Sequence, residues 1–130
     1  AQRGVEVTMI NSEVIDQPMV GHAQRSYYEE LLKAGVKILL YDRPILLHSN
    51  YITIDDDIAV VGSSNLDMRS FQLDLEVTML IFDKKVVERL DEITKVYSKT
   101  TKIIDLKAWH ARPKSAIILD NIARLTAALQ

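Results

Sequence analysis

Residues 48–82 of the chain read HSNYITIDDDIAVVGSSNLDMRSFQLDLEVTMLIF. Two short runs rich in β-branched residues, 51–54 and 58–61, are joined by three aspartates, which predicts two strands and a tight hairpin turn. A polar, turn-forming stretch follows over residues 62–70, and residues 75–82 are almost entirely apolar. The middle of the chain is therefore predicted to be rich in strands.

Helical patterns lie on both sides of these strands. Residues 19–34 place apolar or aromatic side chains at helical spacing, Gly35 suits the cap that ends such a helix, and residues 36–41 read as the next strand. Downstream, Asp83 is a favourable N-cap for a helix over about residues 84–100. The pattern predicts an α/β fold in which a mixed β-sheet is flanked by helices.

The C-terminal part of the chain predicts two further helical segments. Asp105 is expected to cap a short turn that holds Trp109, which we predict to be a core or edge anchor. Pro113 suits the first turn of a last helix, because an N–H at that position would have no partner within the helix. This helix is predicted to run to about Ala128.

The first residues of the chain suggest that a helix precedes them in a longer protein. The sequence opens Ala1-Gln2-Arg3-Gly4, without an initiator methionine, and runs directly into an apolar stretch over residues 5–10. A glycine followed at once by a strand is typical of a helix end, so we expect that a helix is missing. We predict that residues 1–130 are the C-terminal portion of a single, N-terminally truncated domain.

Composition excludes several classes of protein. The net charge of −2 gives no broad attraction to nucleic acid or anionic lipid, so no nucleic-acid partner is expected. The absence of cysteine excludes a disulfide framework, and no apolar run approaches the roughly 20 residues that span a bilayer. The three histidines lie far apart, which argues against a metal cluster; His22 and His110 are predicted to be surface or helix-packing residues.

Polar side chains that suit phosphate chemistry lie between residues 48 and 76. His48 and Asn50 share one face of an extended segment, because side chains alternate along a strand. Glu76 stands in an apolar strand, where an unpaired carboxylate is costly to bury, so we predict that it pairs with His48. The loop between them adds a dense set of donors and acceptors: Ser63, Ser64, Asn65, Asp67 and Arg69. Such an arrangement suits nucleophilic or acid–base work on an anionic ester.

In order and spacing, these residues resemble the signature of the phospholipase D superfamily, which is H-x-K-x-x-x-x-D, then G-S-x-N, then a later glutamate. His48 and Asp55 match the first element, residues 62–65 the second and Glu76 the third. The resemblance covers essentially the whole chain. Within that superfamily, the chain resembles bacterial cardiolipin synthases in four segments: 27–32, 34–36, 61–71 and 120–125.

The resemblance implies a role for each matching residue. His48 would be either the nucleophile that forms a phosphohistidine or the acid that protonates the leaving group, and Glu76 would orient its ring. Ser63 and Asn65 would hold non-bridging phosphate oxygens, and Asp55 would bond to nearby backbone. No metal or organic cofactor is implied.

Asn50 departs from the family pattern, because the motif has a lysine at this phosphate-binding position. An asparagine donates hydrogen bonds but carries no charge to neutralise a phosphoryl group. Losing such a charge-assisted contact costs roughly two to three powers of ten in rate. A naturally degenerate half-site, an engineered substitution and compensation by charge from another half-site each explain the asparagine, and the sequence does not choose among them.

The family builds its active site from two such motifs, so the resemblance implies the N-terminal half of a parent enzyme as a partner. That parent would be a transphosphatidylase that joins two phosphatidylglycerol molecules and releases glycerol. It would work at the cytoplasmic membrane, held there by segments outside this chain, while the chain itself is expected to be soluble and inactive alone.

Two other functions stay open. The parent is alternatively another phospholipase D-family phosphodiesterase, such as a nuclease that works as a homodimer, or the chain is a degenerate, non-catalytic interaction domain. Truncation is expected to leave apolar surface uncovered, and such surface favours a dimer or larger homo-oligomer.

Overall fold

A computed structural model of the chain describes residues 1–65, 67, 70 and 73–127. The predictions made for Arg69 and for the end of the last helix at Ala128 fall outside these residues. In chain order the elements are β1 (Thr8–Ser12), α1 (Pro18–Ser26), α2 (Tyr28–Lys33), β2 (Lys37–Tyr41), β3 (Tyr51–Ile54), β4 (Ile58–Gly62), β5 (Thr78–Ile81), α3 (Lys84–Ser98), β6 (Thr101–Ile103), α4 (Leu106–His110) and α5 (Lys114–Arg124).

The chain divides into two compact units, one formed by Ala1–Leu47 with Thr101–Gln130 and the other by His48–Thr100. Each unit holds its own three-stranded sheet, with strand order β1-β2-β6 in the first and β3-β4-β5 in the second. The predicted mixed α/β class is confirmed. Within the described residues, no helix is long and apolar enough to cross a membrane.

In the first unit, β1 and β2 pair in parallel and β6 pairs antiparallel to β2. Strand β6 was not expected from the sequence, because its three residues are too few to show an alternating pattern. The segment 19–34, predicted as one helix, forms two helices that meet at Tyr27. The Tyr27 N–H donates to the Gln24 carbonyl at 3.2 Å, a tight turn that ends α1 and lets α2 bury Tyr28. Gly35 has a φ of 90°, as predicted for a helix-ending residue.

The core of the first unit forms around Tyr28, Val36, Ile38 and Trp109. The rings of Tyr28 and Trp109 lie with centroids 5.2 Å apart, and the Arg112 guanidinium stacks 3.4 Å above the centroid of the Trp109 ring. Burial raises the pKa of Tyr28, although hydrogen bonds from Asn11 and Gln24 act in the opposite direction. The prediction that Trp109 is a core anchor is confirmed, and the Asp105 carboxylate caps its helix by accepting from the Lys107 N–H at 3.1 Å.

Replacing Ile38 by alanine is expected to lower the free energy of unfolding by about 2–5 kcal/mol, because this fully buried side chain in the central strand would leave a cavity. Ile103→Ala is the matched control, since Ile103 lies on β6 of the same sheet and is 66% exposed; it should cost less than about 1 kcal/mol. Urea denaturation followed by circular dichroism measures both, and equal losses would contradict the position of Ile38 in the core.

In the second unit, β3 and β4 form the predicted hairpin, and β5 pairs antiparallel with β4. Helix α3 begins as predicted, because the Asp83 carboxylate accepts from the N–H groups of Lys85 at 2.8 Å and Val86 at 3.3 Å. The strand predicted over 75–82 is shorter than expected and spans Thr78–Ile81. The reason is local: the Val77 N–H donates to the Ser63 hydroxyl at 3.2 Å and not to a strand carbonyl.

Candidate functional site

The candidate site lies at the end of the β3–β4 hairpin that is opposite its turn. Asn50 directly precedes β3 and Gly62 ends β4, and the Gly62 N–H donates to the Asn50 carbonyl at 3.1 Å. Ser63 then continues the contact with the next segment, because its N–H donates to the Val77 carbonyl at 3.1 Å. The hairpin therefore fixes the backbone on both sides of the predicted phosphate-binding residues.

Gly62 is required by the close passage of the strand that follows. A Cβ atom at this position would lie 2.6 Å from the Val77 carbonyl oxygen and 2.9 Å from Thr78 Oγ1. Real Cβ contacts are longer than this, and a backbone oxygen cannot move aside cheaply. The glycine of the G-S-x-N element thus lets the segment that carries Glu76 approach Ser63.

The Asn50 side chain turns towards the loop after β4. Its Nδ2 donates to the Ser63 carbonyl at 3.1 Å and to Asn65 Oδ1 at 3.0 Å. The structure therefore brings together Asn50, Ser63 and Asn65, the three positions that the resemblance assigned to phosphate binding. It also shows that the Asn50 amide is used for internal hydrogen bonds.

Glu76 accepts a hydrogen bond from the Ser63 hydroxyl, which in turn accepts from the Val77 N–H. Within the described parts of the chain, no hydrogen bond or ion pair joins Glu76 to His48, so the expected His48–Glu76 pairing is not formed. Glu76 is paired with Ser63 instead, because the pairing of Gly62 with Thr78 places these two residues on adjoining segments. His48 is exposed, at the point where the second unit begins.

Asp55 lies away from this cluster, at the turn end of the hairpin. Its φ of 48° places it in the left-handed region, which aspartate tolerates in turns. The structure thus does not bring Asp55 to the other predicted site residues. Its neighbour Asp57 pairs with Lys84 at 3.2 Å, so the acidic turn is partly neutralised.

Two contacts that sequence reasoning missed tie the start of β3 to α3. The hydroxyl groups of Tyr51 and Thr94 lie 2.7 Å apart, and those of Ser49 and Tyr97 lie 3.3 Å apart. Burial raises the pKa of Tyr51, so its hydroxyl stays protonated at neutral pH. Residues 49 and 51 flank Asn50, and these contacts therefore hold its backbone in place.

The loop after β4 is held by its own side chains. The Asp67 carboxylate accepts from the Ser70 N–H at 2.7 Å, and the buried Ser70 hydroxyl accepts from the Asn65 N–H at 3.2 Å. Arg69, which the sequence placed in the same set of donors and acceptors, lies outside the described residues. Asn65 is thus fixed both through its backbone and through its side chain.

Chemically, the site offers an exposed imidazole, a serine hydroxyl oriented by a carboxylate, and two amides. Its described members include no lysine or arginine, since Asn50 occupies the position of the motif lysine. In the described part of the chain, no group of three or more histidine, aspartate or glutamate residues is arranged to hold a metal ion. The arrangement suits binding of anionic oxygens through hydrogen bonds.

The whole chain shares its fold with a solved phospholipid enzyme. Superposition on the phosphatidylserine synthase of Haemophilus influenzae Rd KW20 gives a TM-score of 0.73, with 15% sequence identity, over 99% of this chain and 36% of that one. The chain therefore has the same mixed α/β fold as this part of that enzyme.

The sequence identifies the family within this class. The sequence model described as "Cardiolipin synthase, PLD-like domain" matches residues 1–97, and the chain belongs to this family. It is 40% identical over 122 residues to cardiolipin synthase A of Buchnera aphidicola subsp. Schizaphis graminum (strain Sg), covering 94% of this chain and 25% of that protein. It is also 40% identical over 113 residues to cardiolipin synthase A of Wigglesworthia glossinidia brevipalpis, covering 87% of this chain and 23% of that protein. The chain thus spans about a quarter of the length of these curated relatives.

Proposed function

We propose that the chain supplies one half-site of a phospholipase D-type transphosphatidylase. The full-length protein, meaning the longer chain that we propose contains residues 1–130, is then a cardiolipin synthase. The observation that carries the proposal is the hydrogen-bonded cluster of Asn50, Ser63, Asn65 and Glu76 at one end of a hairpin. These are motif residues separated by up to 26 positions, and a purely structural hairpin has no need to gather them.

In the proposed reaction, a histidine ring nitrogen attacks the phosphorus of phosphatidylglycerol. The N–P bond forms as the P–O bond to glycerol breaks, and the histidine of the second half-site gives its proton to the departing glycerol oxygen. The hydroxyl of a second phosphatidylglycerol then attacks phosphorus, loses its proton to that second histidine and releases the first. His48 supplies one of the two roles, nucleophile or acid.

The other residues bind and orient in this proposal. Asn65 donates an amide N–H to a non-bridging phosphate oxygen. Ser63 has a single O–H, which donates to Glu76 in the free site and turns to a second phosphate oxygen when the substrate binds. Asp55 has a structural part in the hairpin turn. No metal or organic cofactor takes part.

The proposed partners follow from the family. A phospholipid is the substrate, the N-terminal half of the full-length protein supplies the second half-site, and segments outside this chain hold the protein at the cytoplasmic membrane. The names of the curated relatives and the quarter of their length that the chain matches support this assignment.

One observation favours a second function, that of a degenerate interaction domain. The Asn50 amide is neutral and is hydrogen-bonded to Ser63 and Asn65, so it offers no charge to a phosphoryl group. A half-site without its cation loses much of its rate, which favours a role that needs no catalysis.

The proposal is tested by comparing two neighbouring serines in the full-length protein. Ser63→Ala removes a phosphate donor and the partner of Glu76, so kcat/KM for cardiolipin formation should fall roughly a hundredfold. Ser64→Ala is the matched control, because among the described residues the Ser64 hydroxyl donates only to the Asn65 carbonyl, at 3.4 Å; its rate should change less than about threefold. Equal rates in the two variants, measured with labelled phosphatidylglycerol, would favour the interaction domain.

A further inference from the structure

The first unit contains a polar cavity that the proposed reaction does not use. Two adjoining cavities, of about 240 and 210 Å³, share the lining residues Glu13, Ile15, Arg25 and Arg43, and we call them together the Arg25 cavity. Tyr28 also lines the second one. Pockets for drug-sized molecules measure about 300–1,000 Å³, so this space suits a small, polar ligand.

The Arg25 cavity lies at the carboxyl ends of the two parallel strands. Ser12 and Tyr41, the last residues of β1 and β2, are paired, and the Glu13 N–H donates to the Tyr41 carbonyl at 3.0 Å. Arg43 follows β2 by two residues. In open α/β sheets, ligands bind outside the carboxyl ends of the strands, so this is where a ligand is expected.

A buried carboxylate beneath the cavity is shared by more cationic groups than it neutralises. Asp120 on α5 is 1% exposed, and its oxygens lie 2.7 Å from His22 Nδ1 and 2.8 Å from Arg112 Nη1. Arg25 Nε lies at a longer 3.6 Å. Two guanidinium groups and an imidazole thus face one carboxylate, and positive charge remains. The prediction that His22 is a helix-packing residue is confirmed, since it joins α1 to α5.

The positive charge that Asp120 leaves unbalanced lies on Arg25, which lines the cavity. A guanidinium has five N–H donors, and across the residues that the structure describes no oxygen accepts a hydrogen bond from those of Arg25. The side chain is 30% exposed and lines both parts of the cavity. Its donors are therefore available to a ligand.

Glu13, the carboxylate that lines the cavity, does not repel a bound anion, because nearby cations balance its charge. Glu13 Oε1 lies 3.3 Å from Arg43 Nε, and Glu13 Oε2 lies 3.4 Å from Lys102 Nζ. Hydrogen bonds to Asp42 and Glu13 raise the pKa of Lys102, which stays charged. Lys102 Nζ also lies 2.9 Å from Asp42 Oδ1, so the two cations Arg43 and Lys102 balance the two carboxylates Glu13 and Asp42. The positive field in the cavity is therefore left to Arg25.

We propose that the Arg25 cavity binds a phosphoryl group, carried either by a small soluble phosphate ester or by a lipid headgroup. The planar guanidinium fork of Arg25 matches two phosphate oxygens and gives charge-assisted hydrogen bonds. The site does not depend on the reaction proposed for the second unit, since none of its residues belongs to that unit.

The test is an NMR titration of the ¹⁵N-labelled chain with three probes at matched ionic strength: inorganic phosphate, glycerol 1-phosphate and phosphatidylglycerol vesicles, with phosphatidylcholine vesicles for comparison. We expect saturable shifts of the Glu13 and Gly21 amides. Arg25→Gln should weaken binding roughly tenfold or more, because a charge-assisted contact is lost. Arg89→Gln is the matched control, since Arg89 is an exposed arginine of α3 that pairs with Glu92 at 2.6 Å; its affinity should be unchanged.

Each outcome decides the proposal. Saturation by either soluble phosphate supports a free phosphate ester, and saturation by phosphatidylglycerol vesicles alone supports a lipid headgroup. No saturable shift with any probe, or equal affinity in Arg25→Gln and Arg89→Gln, would overturn the site. Should Arg25→Gln unfold, Arg43→Gln replaces it, because Arg43 is 72% exposed and should weaken phosphate binding several-fold without disturbing the Asp120 cluster.

Discussion

The 130-residue chain on its own is expected to release no glycerol, choline or nucleotide from a phosphodiester above the uncatalysed background. The proposed reaction needs one histidine as nucleophile and a second as acid, and His48 cannot hold both roles at one phosphorus. The described members of the site also lack a cation for the phosphoryl group. Assays of the purified chain with labelled phosphatidylglycerol, phosphatidylcholine and an oligonucleotide measure this directly.

Two controls give that experiment its meaning. The full-length protein should form cardiolipin under the same conditions, and its His48→Ala variant should lose this activity. Product release by the chain alone, persisting in a preparation of its His48→Ala variant, would indicate a contaminant. Release that disappears with His48 would contradict the need for a second half-site.

The parts of the fold that sequence predicted best are those set by neighbouring residues. The β3–β4 hairpin follows from two runs rich in β-branched residues on either side of three aspartates. The caps at Asp83 and Asp105 follow from side chains that accept from N–H groups two or three residues further on. The Gly35 cap has the same local origin. Each of these interactions is complete within a few residues, so a sequence pattern is enough to specify it.

The parts that sequence predicted less well depend on distant segments. Whether Glu76 pairs with His48 or with Ser63 is decided by how closely β5 passes Gly62, and no spacing rule contains that distance. The cluster at Asp120 joins residues 98 positions apart, and only the packing of α1 on α5 brings them together. A lone aspartate in an amphipathic helix was the available signal, since a buried carboxylate needs partners.

Asn50→Lys in the full-length protein is expected to raise kcat/KM for cardiolipin formation roughly a hundredfold to a thousandfold. The Asn50 amide acts only as a donor, to the Ser63 carbonyl and Asn65 Oδ1. A lysine ammonium has three donors, so it can keep the Asn65 contact and still present charge to a phosphoryl group. The gain comes from that charge, because the loop geometry is already held by the Asn65–Ser70 contact.

Asn50→Gln is the control that distinguishes the effect of the lysine charge from the effect of a longer side chain. Glutamine extends the side chain by one methylene and keeps the amide donors, but it stays neutral, so its rate should remain within about threefold of the parent. Urea denaturation of both variants establishes that the second unit stays folded. If lysine and glutamine give the same rate, charge at this position does not limit turnover, and either the second half-site supplies the cation or the domain has no catalytic part. A rate that rises only with lysine assigns residue 50 to the phosphoryl group and shows that this half-site kept its geometry after losing its cation.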